Sequence, residues 1–170
     1  MSRVEPLPGT VVIGVGNPDA GDDAAGPLVA EAVRAVAPAG VEVLVHEDPA
    51  DLTLLWRDRD LVVVVDAVCS GDPAGSVRTM VVSEEAAALE SWPSAGSRGT
   101  HDFGLSSAAQ LSHALGTLPR RLVLVGVEGR DFTPGHPMTR AVRAAVPEAV
   151  DAVIAEAEAA PVARAQGVSS

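Results

Sequence analysis

Three acidic residues and one histidine occupy positions in the sequence where they could bind a metal ion. Asp22 and Asp23 close the glycine-rich segment GVGNPDAGDD. Asp66 ends the apolar run LVVVVD, and His101 lies in GTHDFGL. Carboxylate oxygens together with an imidazole nitrogen suit a borderline divalent ion such as nickel or zinc. We therefore predict that Asp23, Asp66 and His101 form a metal site with open coordination positions.

Each of these residues also has an ordinary structural interpretation. Asp22 is placed to cap the next helix, and Asp23 would then lie in its first turn, where an acid favours the helix dipole. Asp66 is harder to explain, because a carboxylate that ends a buried valine strand loses hydration unless it gains hydrogen bonds or a cation. It could cap the loop that follows, and a loop histidine such as His101 is often a surface residue or a cap. Both interpretations stay open at this stage.

Other groups that could react are explained more simply. Cys69 follows Asp66 closely and could pair with His101 as nucleophile and base, but no thiolate-stabilising cluster is evident. We expect a small, half-buried apolar role for Cys69. We expect His46 and His113 to be structural or solvated. His136, in TPGHPMT, could line a pocket, and a turn role fits it better.

Strands alternating with helices predict the fold. The hydrophobic patterns predict strands at 10–16, 41–46, 60–66, 75–82 and 121–127. They predict helices at 27–37, 49–56, 83–90, 105–115 and 139–160, the last with a break at Pro147. The segment 91–100 reads as a mobile loop. This order predicts an α/β fold, a three-layer α/β/α sandwich with a mostly parallel twisted sheet, Rossmann-like or phosphorylase-like. We expect residues 1–160 to form one domain and 161–170 to form a disordered tail.

The predicted sheet explains why the acidic residues matter. In open α/β sheets, ligands bind beyond the carboxyl ends of the strands. The glycine-rich segment follows the first strand and Asp66 ends the third, so both acids belong to that edge. The same glycines resemble a dinucleotide loop, but the GxGxxG pattern would need glycine where Asp19 stands.

Amino-acid composition excludes several kinds of partner and site. The chain has 170 residues and a formal net charge of -11, and all of its basic residues are arginine. Nucleic acid is therefore excluded as an expected partner, since phosphate binding needs a basic surface. A single cysteine allows neither an internal disulfide nor a cysteine zinc cage. With no secretory signal and no apolar run of membrane-spanning length, we expect a cytoplasmic protein without a membrane partner.

Four segments in order resemble the hydrogenase maturation protease family. They are VVIGVGNPDAGDDAAGPLVAEAV, VVVVDAVCSGDPAGSV, THDFGLSSAAQL and LVLVGVEGRDFTPGHPMT, spread over residues 11–139. The resemblance implies an endopeptidase that removes a short C-terminal extension from the large-subunit precursor of a nickel-iron hydrogenase after nickel insertion. It implies that Asp23, Asp66 and His101 contact the metal. It also implies that nickel is read in the precursor, with no resident cofactor. We assign Asn17 and Asp22 to substrate binding, and the catalytic nucleophile stays unassigned.

One segment departs from the family pattern. After the second strand many members resemble Asp-Gly-Gly-Thr, whereas this chain has HEDPAD, so this edge of the cleft loses glycine flexibility. Asp48 in that segment could replace the family's acid, but we assign it no role.

Two alternative functions stay open. The first is a non-catalytic nickel-binding checkpoint that uses the same three residues. The second is peptidyl-tRNA hydrolase, because the segment GVGNP resembles the opening of that family. The acidic net charge argues against an RNA substrate.

Overall fold

The computed structural model describes residues 9–82, 92–95 and 104–159, which form a five-stranded sheet with helices on both faces. The strands are β1 (Thr10–Val15), β2 (Val41–His46), β3 (Leu61–Val68), β4 (Val77–Val81) and β5 (Arg121–Glu128). The helices are α1 (Ala25–Val36), α2 (Leu52–Leu55), α3 (Leu105–Leu115) and α4 (Arg140–Ala159). Short 3-10 turns at Gly21–Ala24 and Pro49–Asp51 precede α1 and α2. The predicted α/β fold is confirmed.

The sheet has the order β2-β1-β3-β5-β4. Strands β1, β2, β3 and β5 run parallel, and only the edge strand β4 is antiparallel, paired with β5. From β1 the chain moves first outward to β2 and then back across to β3 on the other side. The order therefore reverses between β1 and β3, and a doubly wound sheet opens a crevice at such a point.

The core consists of two apolar layers, one on each face of the sheet. Even-numbered residues of β3, such as Val62 and Val64, pack with Trp56 and Leu105 on the side of α2 and α3. Odd-numbered residues of β3 pack instead with α1 and α4. All eight residues of β3 are buried, as its continuous valine run predicts for a strand covered on both faces. The three-layer α/β/α arrangement is thus confirmed.

Helix α4 differs from the sequence prediction at Pro147. The helix runs without interruption from Arg140 to Ala159, so the predicted break is absent. Proline removes the hydrogen bond to the carbonyl of Arg143, but Pro147 lies on the exposed face, where water can satisfy that carbonyl. The buried side chains Ala145 and Ala149 on either side of it keep the helix on the sheet.

The remaining predictions concern segments at the edges of the described structure. The predicted helix 83–90 and the tail 161–170 lie outside the described residues. Of the predicted mobile loop 91–100, the structure describes residues 92–95, where Trp92 and Ala95 are buried, so this part is packed rather than loose. No helix among the described residues is both long enough and apolar enough to cross a membrane.

Candidate active site

The carboxyl ends of β1 and β3 meet at the point where the strand order reverses. Register pairs Gly14 of β1 with Val65 of β3, which places Asp66 level with the last residue of β1. Strand β3 continues to Val68, so Asp66 lies within the strand. The sequence prediction that Asp66 ends the strand is therefore wrong by two residues. Because Asp66 alternates with Val64 and Val68, its side chain lies on the α2 and α3 face.

Asp23 lies on the tight loop that joins β1 to α1. Gly16 has a φ of 143°, and a Cβ there would collide with the backbone oxygen of Asp23, so only glycine allows this close turn. The backbone N–H of Asn17 donates a hydrogen bond of 2.8 Å to Oδ2 of Asp23. Asp23 is half-buried. The loop therefore fixes the Asp23 carboxylate at the mouth of the crevice.

Asp66 is a buried carboxylate with few polar partners. It is 4% exposed. Its Oδ2 accepts a hydrogen bond of 2.7 Å from the Ser94 hydroxyl and a longer one of 3.5 Å from the Trp92 indole N–H. Burial raises the pKa of Asp66 to about 7, and the two hydrogen bonds only partly offset that effect.

The two carboxylates interact electrostatically. The negative charge of Asp23 adds to the effect of burial in raising the pKa of Asp66. The pKa of Asp23 is itself raised, first by burial and then, more weakly, by the charge of Glu47. Among the described residues, neither carboxylate forms an ion pair with an arginine or histidine. The structure thus places two of the three residues predicted as metal ligands close enough to interact electrostatically.

The third predicted ligand, His101, lies outside the described residues. Within the ranges 9–82, 92–95 and 104–159, no three His, Cys, Asp or Glu side chains are grouped as a metal site requires. A metal site at Asp23 and Asp66 would therefore need a further ligand, either from the rest of this chain or from a substrate.

Asp22 has a structural role that the sequence did not indicate. Its side chain is completely buried, and it caps neither the 3-10 turn nor α1, so the predicted N-cap is wrong. Its two oxygens accept hydrogen bonds from the backbone N–H groups of Arg130, Asp131 and Thr139 and from the Thr139 hydroxyl. Asp22 therefore connects the loop after β1 to the loop after β5 through these hydrogen bonds. In this arrangement it presents no surface to a substrate, whereas the neighbouring Asn17 is half-buried and accessible.

The other candidate residues have structural or solvent-exposed surroundings. Cys69 is exposed rather than half-buried, because β3 ends one residue earlier. His46 lies 3.6 Å from Asp51 through Nδ1, and His113 is exposed on α3, as expected for structural or solvated residues. His136 lies in the turn after β5, with its Nδ1 2.8 Å from Oδ2 of Asp131.

Asp48, in the segment that departs from the family, is an N-cap. Its side chain accepts a hydrogen bond of 2.9 Å from the backbone N–H of Ala50 at the start of the 3-10 turn before α2. The neighbouring Glu47 is exposed and close enough to raise the pKa of Asp23, so this edge adds negative charge where the family pattern has glycine.

Sequence reasoning missed three polar residues beside the crevice. Trp92 and Ser94 hold Asp66, although their segment read as a mobile loop. Glu128, at the end of β5, is 2% exposed. It accepts hydrogen bonds from the backbone N–H groups of Ser70 and Gly71 and from the Ser70 hydroxyl, and so fixes the loop after β3. An acid that ends an apolar strand was the available signal for Glu128, the same signal that singled out Asp66.

Known proteins share both this sequence pattern and this fold. Residues 47–156, more than half of the chain, match the family model described as HycI: Hydrogenase maturation protease. The chain belongs to the hydrogenase maturation protease family. Membership makes it a protease, an enzyme that hydrolyses peptide bonds, and it confirms the resemblance found in the four sequence segments. It also decides against peptidyl-tRNA hydrolase.

Individual relatives agree with the family assignment. The chain is 30% identical over 149 residues to the hydrogenase 2 maturation protease of Escherichia coli K12. The matched region covers 85% of this chain and 88% of the relative. The fold is similar to that of the hydrogenase maturating endopeptidase HybD from E. coli, with a TM-score of 0.70 at 26% identity over 88% of this chain and 91% of the other. It is also similar to the solution structure of an E. coli endopeptidase, with a TM-score of 0.73 at 26% identity over 86% of this chain and 90% of the other.

Proposed function

We propose that this protease removes the C-terminal extension of a nickel-iron hydrogenase large-subunit precursor after nickel insertion, and that it recognises the nickel through Asp23, Asp66 and His101. The observation that carries the proposal is the pair of carboxylates at the crevice between β1 and β3. The names of the relatives support a hydrogenase as the substrate protein.

The described residues fit a divalent cation. Asp23 and Asp66 lie close enough together for the charge of one to raise the pKa of the other. A divalent cation between them would offset both the burial and the repulsion, which no charged side chain among the described residues does. Two carboxylate oxygens and one imidazole nitrogen, the proposed set, suit nickel and leave coordination positions for groups of the precursor.

The proposed chemistry is hydrolysis by water of a peptide bond placed beside the nickel of the precursor. The two carboxylates and the imidazole orient the precursor, so that its scissile bond lies at the carboxyl edge of the sheet. The oxygen of water attacks the carbonyl carbon, a neighbouring carboxylate accepts the proton, and the departing amine takes up a proton. Nickel held there would supply Lewis acidity to the carbonyl. Asn17, on the loop beside Asp23, is the proposed contact to the substrate chain.

The decisive experiment is cleavage of a defined precursor. Purified protein is mixed with a nickel-loaded large subunit that carries its C-terminal extension, and intact mass spectrometry follows the subunit. We expect loss of the extension. No change in mass with a cognate, metallated precursor contradicts the proposal. Tight binding of that precursor without cleavage would instead support the non-catalytic checkpoint.

Substitution of the proposed ligands tests the assignment of the site. We expect Asp23→Asn, Asp66→Asn and His101→Ala each to lower the rate of processing by more than about a hundredfold, since each removes a ligand rather than a supporting contact. Matched controls are Asp151→Asn on the exposed face of α4 and His113→Ala on the exposed face of α3.

The control variants should process the precursor at the wild-type rate, and so should Cys69→Ser. Circular dichroism verifies that each variant is folded. Full processing by one of the three ligand variants removes that residue from the site. Loss of processing in folded Cys69→Ser would instead indicate a thiol nucleophile.

A further inference from the structure

Residues 92–95 fill the position beside β3 that β1 leaves empty. At the start of β3, the Leu61 N–H donates to Gly9 O, on the side of β1. The backbone N–H and C=O groups of odd-numbered β3 residues therefore point toward β1, and those of even-numbered residues point toward β5, where Val68 O accepts from Gly129 N. Strand β1 ends at Val15, and beyond that point the side of β3 that faced β1 is taken by residues 92–95.

Two backbone hydrogen bonds hold this segment against β3. The N–H of Cys69 donates to Pro93 O at 2.8 Å, and the N–H of Ala95 donates to Ala67 O at 3.0 Å. Between these two hydrogen bonds, Ser94 forms an antiparallel bridge with Val68. Residues 92–95 therefore extend the sheet at the edge of the crevice that contains Asp66.

The bridge determines where the side chains of this segment point. Residues opposite each other in an antiparallel bridge point to the same face, so Ser94 shares the face of Val68 and hence of Asp66. Trp92 packs into the core on that face and is 5% exposed. Both side chains donate to the same atom, Oδ2 of Asp66, from the hydroxyl at 2.7 Å and the indole at 3.5 Å. Neither of these hydrogen bonds uses Oδ1.

We propose that Ser94, assisted by Trp92, is a positioning residue that fixes the rotamer of Asp66, so that its carboxylate presents one oxygen to the nickel of the precursor. This inference rests on the proposed function for the identity of the metal. Besides the backbone interaction with Ala67, the hydroxyl of Ser94 and the indole of Trp92 are the side-chain donors that restrict rotation of the Asp66 carboxylate. Groups that hold metal ligands in this way contribute strongly to metal affinity. In sequence, the same segment leads directly to the stretch that contains His101.

The first test measures the Asp66 side chain itself, without metal. NMR couplings between the α and β protons of Asp66 report its rotamer. We expect a single rotamer in the wild type and in Ser94→Thr, which keeps the hydroxyl, and averaged couplings in Ser94→Ala. Unaveraged couplings in Ser94→Ala overturn the inference. Trp92→Phe, which keeps the aromatic ring and removes the N–H, repeats the test if Ser94→Ala fails to fold.

The second test measures Ni²⁺ binding by isothermal titration calorimetry. We expect Ser94→Ala to bind Ni²⁺ about tenfold more weakly than the wild type, with Ser94→Thr restoring the affinity. Ser76→Ala is the matched control, because its hydroxyl contacts only Pro73 O in the hydrogen bonds of the described structure, away from Asp66. Equal affinity in Ser94→Ala and wild type overturns the positioning role.

The two readouts separate the inference from the proposed function. A wild type that does not bind Ni²⁺ contradicts the proposed recognition of nickel, and the couplings then decide on their own whether Ser94 fixes Asp66. A wild type that binds Ni²⁺, together with a Ser94→Ala variant that binds equally well, contradicts only the inference.

Discussion

Asp66 combines burial, a charged neighbour and two hydrogen bonds on one side chain. Burial and the charge of Asp23 favour its neutral form, whereas the hydrogen bonds from Ser94 and Trp92 favour the charged form. Burial dominates, since the pKa rises to about 7 from 3.8. A carboxyl group with this balance destabilises the metal-free protein when ionised, and it gains most from a cation.

This balance predicts an unusual dependence of stability on pH. Between about pH 4 and 7, the unfolded chain has released the Asp66 proton that the folded chain still holds, so stability falls as pH rises through this window. The loss is on the order of 4 kcal/mol, at about 1.4 kcal/mol per pKa unit. Urea unfolding of the metal-free protein at several pH values measures it.

Asp66→Asn is the comparison for this prediction, because it keeps an oxygen for the Ser94 hydroxyl and cannot ionise. The variant should lose less stability across the window and be more stable than the wild type above pH 7. If wild type and variant show parallel curves, Asp66 does not hold its proton near neutrality, and the electrostatic account of the crevice is wrong.

At the scale of elements, the site depends on the loops after β1 and β5. The carboxylate of Asp22 accepts hydrogen bonds from three backbone N–H groups of the segment 130–139. Two further backbone hydrogen bonds join the same loops, from Gly21 N to His136 O and from Gly135 N to Asp19 O. The loop that carries Asp23 is therefore supported by the loop after β5.

This support predicts that Asp22→Ala destabilises the fold. Three backbone N–H groups and the Thr139 hydroxyl would lose their acceptor, the buried carboxylate of Asp22, which should lower the free energy of unfolding by about 3 kcal/mol. Urea denaturation measures this loss, with Asp19→Ala on the exposed part of the same loop as the control. Unchanged stability together with a raised KM for the precursor would instead support the substrate-binding role assigned to Asp22 from the sequence.

The elements could be predicted from the sequence, but the contacts between them could not. Hydrophobic periodicity placed β2 and α3 at their observed bounds, because local pattern determines those elements. The edge position of Asp66 followed from the rule for parallel sheets. The partners of Asp22 lie more than a hundred residues away, and Ser94 lies 28 residues from Asp66, so no local pattern reveals them. The low helix propensity of proline predicted a break at Pro147, but packing of α4 against the sheet keeps the helix continuous there.

At the scale of the whole molecule, charge is the dominant property. The chain carries 23 acidic and 12 basic residues, and the HEDPAD segment adds Glu47 near Asp23. A molecule with a net charge of -11 attracts basic segments over a distance that salt shortens. In the proposed function, the C-terminal extension of the precursor is the segment that reaches the crevice.

We therefore expect processing to slow as NaCl is raised when the extension is basic. The measurement is kcat/KM for cleavage at increasing NaCl, because steering acts on association and not on the chemical step. A precursor whose extension has its basic residues replaced by neutral ones is the control and should respond little. Rates independent of NaCl for the basic extension would show that the acidic surface does not guide it.

The segment 92–95 also limits how a peptide can be read. Many proteases and peptide-binding domains recognise an extended chain by adding it as a strand to an open sheet edge. Beside β3 that edge is already paired, since Pro93 and Ala95 use the backbone groups of Ala67 and Cys69. The extension therefore cannot be recognised by main-chain pairing with β3 at the crevice unless residues 92–95 first leave. In the proposed function, selection of the cleavage site would then depend on side-chain contacts and on where the folded precursor holds its nickel, and less on the amino-acid sequence of the extension.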